Sequence, residues 1–279
     1  MIIWLSSYPK SGNTLMRSIL ASYFYSKDGT FEFENLKKIT QFPMTEDFMS
    51  FGINVDDDNE VFKNFINVQK FINENKKNLS FFKTHSSLTR INGCDFTDLK
   101  NSLAAIYIVR DPRNVVTSLA NHNGISEDEA TDIILDKNRF TDKSHKVCRV
   151  LVGSWSSNYK SWKEFKGKNK YLLIKYEDLI LKKKTILLKV FKFLNELGIS
   201  HNLDIIKLNK AIKTTDFNRV KIKEQKETFI EALPDEKTGK RRVFFNLGPK
   251  NDWRKLLSKK NIEKIETSFR DEMLELGYL

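Results

Sequence analysis

The segment Ser7-Tyr8-Pro9-Lys10-Ser11-Gly12-Asn13-Thr14 carries the residue types that hold a phosphate dianion. Between a strand and a helix, such a loop gathers successive backbone N–H groups at the helix N-terminus, where negative charge is stabilised. Gly12 permits close backbone approach, Lys10 supplies a mobile charge, and Ser11 and Thr14 supply hydroxyl donors. The loop lacks the first glycine and the Gly-Lys order of G-x-x-x-x-G-K-[ST], so a Mg-ATP kinase is a poor fit. The same residues also allow a plain helix cap made by Ser11 or Asn13. In Phe82-Lys83-Thr84-His85, the two basic side chains are two positions apart and share one face of a strand. In Tyr107-Ile-Val-Arg110-Asp-Pro-Arg113-Asn-Val-Val-Thr-Ser118, a strand leads to a helix that begins near Pro112, bracketed by Arg110 and Ser118. Either these two bind an anion, or they form a structural Arg–Asp pair and a cap.

Taken in order, the segments resemble the motifs of cytosolic-type sulfotransferases that use 3′-phosphoadenosine 5′-phosphosulfate (PAPS) and release 3′-phosphoadenosine 5′-phosphate (PAP). That family's loop reads Tyr-Pro-Lys-Ser-Gly-Thr-Thr, with Asn13 here in place of the first Thr. The resemblance assigns the 5′-phosphosulfate to Lys10, Ser11, Gly12, Asn13, Thr14 and Leu15. It makes His85 the general base on the acceptor, a task suited to a side chain that titrates near neutrality. Lys83 would hold the sulfuryl oxygens, Lys10 would stabilise the departing phosphate, and Arg110 and Ser118 would bind the 3′-phosphate, with Ser118 also restraining Lys10. Tyr176, in Tyr176-Glu177-Asp178, and Thr215 and Phe217, in Thr215-Asp216-Phe217, are similar to the adenine contacts. The family's Arg-Lys-Gly before its Asp-Trp pair appears here as Asn246-Leu247-Gly248, so Gly248 carries over but the phosphate-binding Arg does not. Asn246, Lys250 or Arg242 must make that contact, or it is absent. The family's dimer motif is also altered, with Lys259 at an apolar position. The resemblance implies in-line sulfuryl transfer to a hydroxyl or amine of a small-molecule acceptor, with no metal.

The elements that must position these residues follow from hydrophobic periodicity. Ile2-Ile3-Trp4-Leu5 reads as a strand, and Leu15, Ile19 and Tyr23 as the buried stripe of the helix after the loop. Further strands are predicted at Leu79 to Thr84, Ala104 to Val109 and Tyr171 to Tyr176, separated by segments long enough for helices. This alternation predicts an α/β fold, one domain over 1–279 with a central parallel sheet flanked by helices, in a phosphate-loop-like architecture. Trp155 and Trp162 read as core positions on one helix; Ile186 to Leu194 and Ile262 to Met273 each read as a core-facing helix. The polar stretch 221–242 is expected to be a long loop or lid. The acceptor pocket is expected from 24–65, 121–146 and 221–242.

Composition bounds the rest. The chain has 279 residues, 40% hydrophobic and 30% charged, which excludes a disordered or fibrous reading. No apolar run is long enough to cross a bilayer as a helix. The start of the chain has no basic region ahead of an apolar core, and Cys94 and Cys148 show no metal-binding spacing. Free thiols in a cytoplasmic protein are expected, and the Lys- and Asn-rich composition leans toward a bacterial source. Lys and Arg number 48 against 36 Asp and Glu, a net charge of +12, which suits phosphorylated ligands. The basic residues are dispersed without a nucleic-acid motif, so no nucleic-acid partner is expected. The alternative carried forward is a non-catalytic binder of phosphorylated nucleotides or nucleic acid.

Overall fold

Ile2–Ser7 forms strand β1, buried along its whole length. A strand can be apolar on both faces only where both are covered, and here it lies inside a parallel sheet. The computed structural model describes residues 1–75, 80–142, 144–168, 170–199, 202–235 and 238–279. With β2 (Ser80–Thr84), β3 (Ser102–Val109) and β4 (Tyr171–Lys175), the sheet order is β2-β1-β3-β4, every pair parallel. The helices used below are α1 (Asn13–Tyr25), α2 (Asp58–Asn75), α3 (Pro112–Asn123), α4 (Glu127–Leu135), α5 (Trp155–Trp162), α6 (Tyr176–Leu181), α7 (Lys183–Glu196), α8 (Ile205–Thr214), α9 (Phe217–Lys226), α10 (Lys259–Ser268) and α11 (Arg270–Glu275).

Alternation along β1 divides the core in two. Ile3 and Leu5 pack with Met16, Ile19 and Leu20 of α1 and with Leu187 and Val190 of α7. Ile2 and Trp4 join the opposite core, with Phe65 of α2, Val115 of α3 and Trp162 of α5. There the Trp4 ring meets Phe96 at 5.3 Å and Phe42 at 5.6 Å. Fully burying an aromatic or large aliphatic side chain is worth about 1.5–3 kcal/mol, so these two cores hold the sheet rigid from both faces. All four strands then present their carboxyl ends at one edge, where open α/β sheets carry their ligands.

The parallel sheet, the N-terminal strand-loop-helix unit and the buried tryptophans stand as expected. Leu79, the expected start of β2, lies outside the described residues. Tyr176 does not end a strand but opens α6, because β4 stops at Lys175. The expected helix through Ile262 to Met273 is broken at Phe269, whose φ of −119° is not helical and whose ring is buried. The stretch from 221 is not wholly a loop, since α9 continues to Lys226. Asp216 caps that helix by accepting from the Asn218 N–H, and only Val220 of the helix is buried, which leaves no apolar stripe to read. Cys94 and Cys148 are free thiols.

Candidate active site

The turn from β1 into α1 has two residues in the left-handed region, Lys10 at φ 66° and Gly12 at φ 99°. A Cβ on Gly12 would lie 2.3 Å from the Tyr176 ring, so only glycine fits between the loop and that ring. The reading of this turn as a plain helix cap does not hold. The N-cap of α1 is Gly12, with no side-chain cap hydrogen bond. The Asn13 Nδ2 donates backwards, to the Leu5 carbonyl at 2.8 Å and to Ser7 Oγ at 3.2 Å, and braces the turn from beneath. The helix N-terminus therefore keeps open backbone donors for an anion. Ser11 is fully buried and does not line the cavity described below. Its Oγ, the Asn13 Oδ1 and the Arg110 Nε are buried with no hydrogen-bond partner among the described residues. Orphaned polar atoms at such a density mark a site completed by a polar ligand.

Arg110 sits at the end of β3, its guanidinium 4.4 Å from the Tyr176 ring centroid and its Nη1 donating to the Lys10 carbonyl at 3.0 Å. The Lys10 ammonium stands 3.8 Å from the Phe244 ring centroid. Among the described residues no hydrogen bond joins it to Ser118, and its close contact is this cation–π one. Burial is the main cause that lowers the Lys10 pKa to about 7, with the charges of Lys83 and Arg110 adding to it and Glu231 opposing.

His85 follows β2. Its Nδ1 lies 2.8 Å from the Ser7 carbonyl oxygen, an atom that only accepts. Nδ1 therefore carries the proton and Nε2 the lone pair, the tautomer a general base needs. Burial first, and the Lys83 charge second, push the imidazole down to about 3, so it is neutral across the physiological range. Helix α5 fixes this geometry, a role not legible in the sequence. Asn158, fully buried, donates to the His85 carbonyl at 3.0 Å, Trp155 Nε1 donates to the Arg110 carbonyl at 3.1 Å, and Trp162 Nε1 to the Ser86 carbonyl at 2.8 Å.

The segment after α9 returns one carboxylate into the site. Glu231 accepts from Thr14 Oγ1 at 2.9 Å, pairs with Arg17 Nη1, and lies 3.5 Å from Lys83 Nζ. Burial alone would raise this carboxyl; the Lys83 and Arg17 charges, with the hydrogen bonds from Arg17 and Thr14, overrule it and hold the pKa well below the usual range. Glu231 thus marks where negative charge is most stable among Thr14, Arg17 and Lys83.

These groups face one cavity of about 800 Å³. Of the residues expected at the site, Lys10, Gly12, Asn13, Thr14, Leu15, Lys83, His85, Arg110, Ser118, Tyr176, Thr215, Phe217, Asn246, Leu247 and Gly248 all line it, and Ser11 does not. Gly248, at φ 54°, lies against Phe217, whose ring a Cβ would meet at 2.2 Å. The Thr215 hydroxyl donates to the Ala211 carbonyl at 2.7 Å, leaving only its lone pairs for a ligand. Of the three candidates to replace the missing Arg, Asn246 alone lines the cavity; Arg242 instead bonds Asp235 and the Asn123 carbonyl. Sequence reasoning missed Arg17, His122, Arg139, Glu231 and Phe244. Of these only Arg17 had a local signal, three residues after Thr14 on the same helix face. Among the described residues no group of three or more His, Cys, Asp or Glu side chains could hold a metal ion.

A sulfotransferase-domain family model matches residues 2–277. The chain is 22% identical to an amine sulfotransferase of Oryctolagus cuniculus over 279 residues, which covers 97% of this chain and 80% of that enzyme. It is 24% identical to a 3-beta-hydroxysteroid sulfotransferase of Cavia porcellus over 124 residues, 44% of this chain and only 41% of that relative. Among solved structures, mouse sulfotransferase SULT7A1 complexed with PAP superposes with a TM-score of 0.58 at 19% identity, over 98% of this chain and 84% of that one. Retinol dehydratase in complex with androsterone and inactive cofactor PAP gives a TM-score of 0.60 at 14% identity, over 98% and 80%. These two likenesses establish a shared fold. No helix of the described residues is long and apolar enough to cross a membrane.

Proposed function

The chain belongs to the sulfotransferase-domain family, and from that premise we propose that it moves a sulfuryl group from PAPS to a hydroxyl or amine of a small-molecule acceptor. One observation carries the proposal. The uncapped N-terminus of α1, Arg110, and the Lys83–His85 pair all line a single cavity. The residues fit the donor chemically: the loop amides and Thr14 suit the 5′-phosphate, Arg110 and Ser118 the 3′-phosphate, and Tyr176, Thr215 and Phe217 the adenine.

In the reaction, His85 Nε2 takes the acceptor's proton as the acceptor oxygen or nitrogen bonds to sulfur. The bond from sulfur to the bridging oxygen breaks, and that oxygen leaves on the 5′-phosphate with the electron pair. Lys10 stabilises the charge growing there, while Lys83 and the loop amides hold the sulfuryl oxygens. Positioning and preorganised charge carry such a transfer, as they carry phosphoryl transfer. The direct test is incubation with donor labelled in its sulfuryl group and a mixture of hydroxy and amino compounds. Label passing to an acceptor with equal release of PAP is expected. Tight donor binding with no transfer to any acceptor would favour the non-catalytic binder.

Lys10 adds a linked-proton prediction. At pH 8 its lowered pKa of about 7 leaves it mostly neutral in the donor-free protein, and a bound dianion draws the proton back. PAP binding at pH 8 should take up about one proton, seen as a binding enthalpy that depends on the buffer's ionisation enthalpy. At pH 6 the uptake should vanish. Affinity should fall by up to about tenfold per pH unit above 7. For stability the sign is opposite. The unfolded chain keeps the proton up to the ordinary 10.5 and the folded one only to about 7, so this group's contribution to stability rises with pH across that window. Equal uptake at both pH values would contradict the assignment.

A further inference from the structure

The cavity has a second charged arm, on the β2 side of the sheet and away from Arg110. Its walls are two connecting segments tied to each other and to β2. Residues 40–44 lie beside β2, with the Lys83 N–H donating to the Thr40 carbonyl at 2.8 Å and the Phe42 N–H to the Lys83 carbonyl at 2.9 Å. The segment after α4 closes on them: the Thr45 N–H donates to the Lys146 carbonyl at 2.9 Å and the Cys148 N–H to the Pro43 carbonyl at 3.1 Å. That segment is also stitched to the chain just after His85, by the Ser87 N–H to the Leu151 carbonyl at 2.7 Å and Ser87 Oγ to the Val152 carbonyl at 2.6 Å. This arm therefore opens from the base, on the opposite side from the elements that suit the nucleotide.

The aromatic side chains of these segments are spent on the core behind, Phe42 packing on Trp4 and Phe65. What faces the arm is mostly polar, including Gln41, Arg139, Thr141, Ser144 and Lys146, with Asp142 the acidic residue among them. Arg139 stands out among the arginines of the cavity. Arg17 is neutralised by Glu231, and Arg110 has no carboxylate partner among the described residues, as a nucleotide-phosphate ligand requires. Arg139 likewise has none. Its Nη1 donates to the uncharged Tyr8 hydroxyl at 3.0 Å, next to the phosphate loop. Its backbone is fixed, its carbonyl accepting from the Val152 N–H at 2.8 Å and the Gly153 N–H at 3.0 Å. A half-buried guanidinium on a rigid backbone, lining the same cavity as the base and in no ion pair among the described residues, is a preorganised anion receptor.

We infer that the acceptor is a polar, hydroxyl-rich compound carrying an anionic group, carboxylate or phosphate, which Arg139 binds while its hydroxyl is presented to His85. This rests on the sulfotransferase reading and narrows its acceptor class. The test uses the PAP-saturated protein and calorimetric titration with glucose, glucuronate, glucose 6-phosphate and androsterone. At least one anionic sugar should bind roughly tenfold or more tightly than glucose, and the carboxylate and phosphate members separate the two sources of charge. Arg139→Met should erase that preference, and Arg139→Lys should retain part of it, while both keep wild-type affinity for PAP and for glucose. Equal binding of charged and neutral sugars, tighter binding of androsterone, or a preference that survives Arg139→Met would overturn the inference. Failure of PAP to saturate the wild-type protein would instead count against the sulfotransferase reading itself.

Discussion

His85→Ala lowers turnover by roughly 10²- to 10⁴-fold, the usual contribution of a positioned general base, and leaves PAP affinity within about twofold of wild type. The asymmetry follows from where the side chain works. Its ring is anchored at 2.8 Å on the Ser7 carbonyl through Nδ1, so Nε2 is the atom available to an acceptor proton. Among the described residues no hydrogen bond joins it to Arg110, Tyr176 or Phe217, the residues proposed to hold the nucleotide. Because burial and Lys83 hold its pKa at about 3 in the donor-free protein, kcat/KM should show no acid limb near pH 6.5, the ordinary titration range of histidine. Single-turnover rates and a PAP titration on the same variant check both halves. Turnover within a few-fold of wild type in His85→Ala would remove the residue from the chemistry, and an acid limb centred near pH 6.5 would contradict the buried neutral imidazole.

Glu231→Gln should destabilise the donor-free protein and strengthen donor binding. Glu231 is the counter-charge of Arg17 and Lys83, whose side chains are only 6% and 10% exposed. Removing one partner of a buried charge cluster costs about 3–5 kcal/mol; glutamine retains a hydrogen-bonding side chain, so a loss of roughly 3 kcal/mol, or about 6 °C in Tm, is expected. In the wild type, a sulfuryl group held by Lys83 must compete with the Glu231 carboxylate, and in the variant it meets two uncompensated cations. PAPS affinity should therefore rise by about tenfold or more, and the Tm deficit should close when the donor is saturating. The pH dependence has a fixed sign. A carboxyl held below its ordinary value of 4.5 stabilises the fold above that pH, and this contribution is lost as pH falls through the depressed value. Thermal unfolding with and without PAPS decides the matter. Unchanged Tm would show that the carboxylate does not hold these cations together, and weaker PAPS binding would make it part of the donor site rather than its competitor.

What the sequence disclosed was local. The turn at Ser7 to Thr14, the two-residue spacing of Lys83 and His85, and the eight-residue spacing of Arg110 and Ser118 each lie within one strand-loop-helix unit, where periodicity fixes direction. The unbroken apolar run at the start of the chain likewise reads as a strand, and the structure covers it on both faces. Glu231 was hidden because its partners Thr14 and Arg17 lie more than 200 positions away and its own neighbourhood reads as a solvated polar stretch. Arg139 was hidden for the same reason, since nothing nearby distinguishes a receptor arginine from a surface one. Helix α9 escaped because it buries a single side chain, and the break at Phe269 because a buried aromatic at helical spacing looks continuous with its neighbours. Asn13 was the closest ambiguity. A polar residue after a glycine can cap a helix or brace the turn beneath it, and only the Leu5 and Ser7 partners decide between them.

The central claim is that one cavity recognises a nucleotide bearing both a 5′- and a 3′-phosphate. Calorimetric titration of the protein with PAP, with ATP as the control, at pH 6 where Lys10 is charged, tests it most directly. A Kd for PAP of about 1 μM or below, with ATP bound at least roughly a hundredfold more weakly, is the predicted result. Equal affinity for the two would contradict the account, because Arg110 and Ser118 would then not form a 3′-phosphate site.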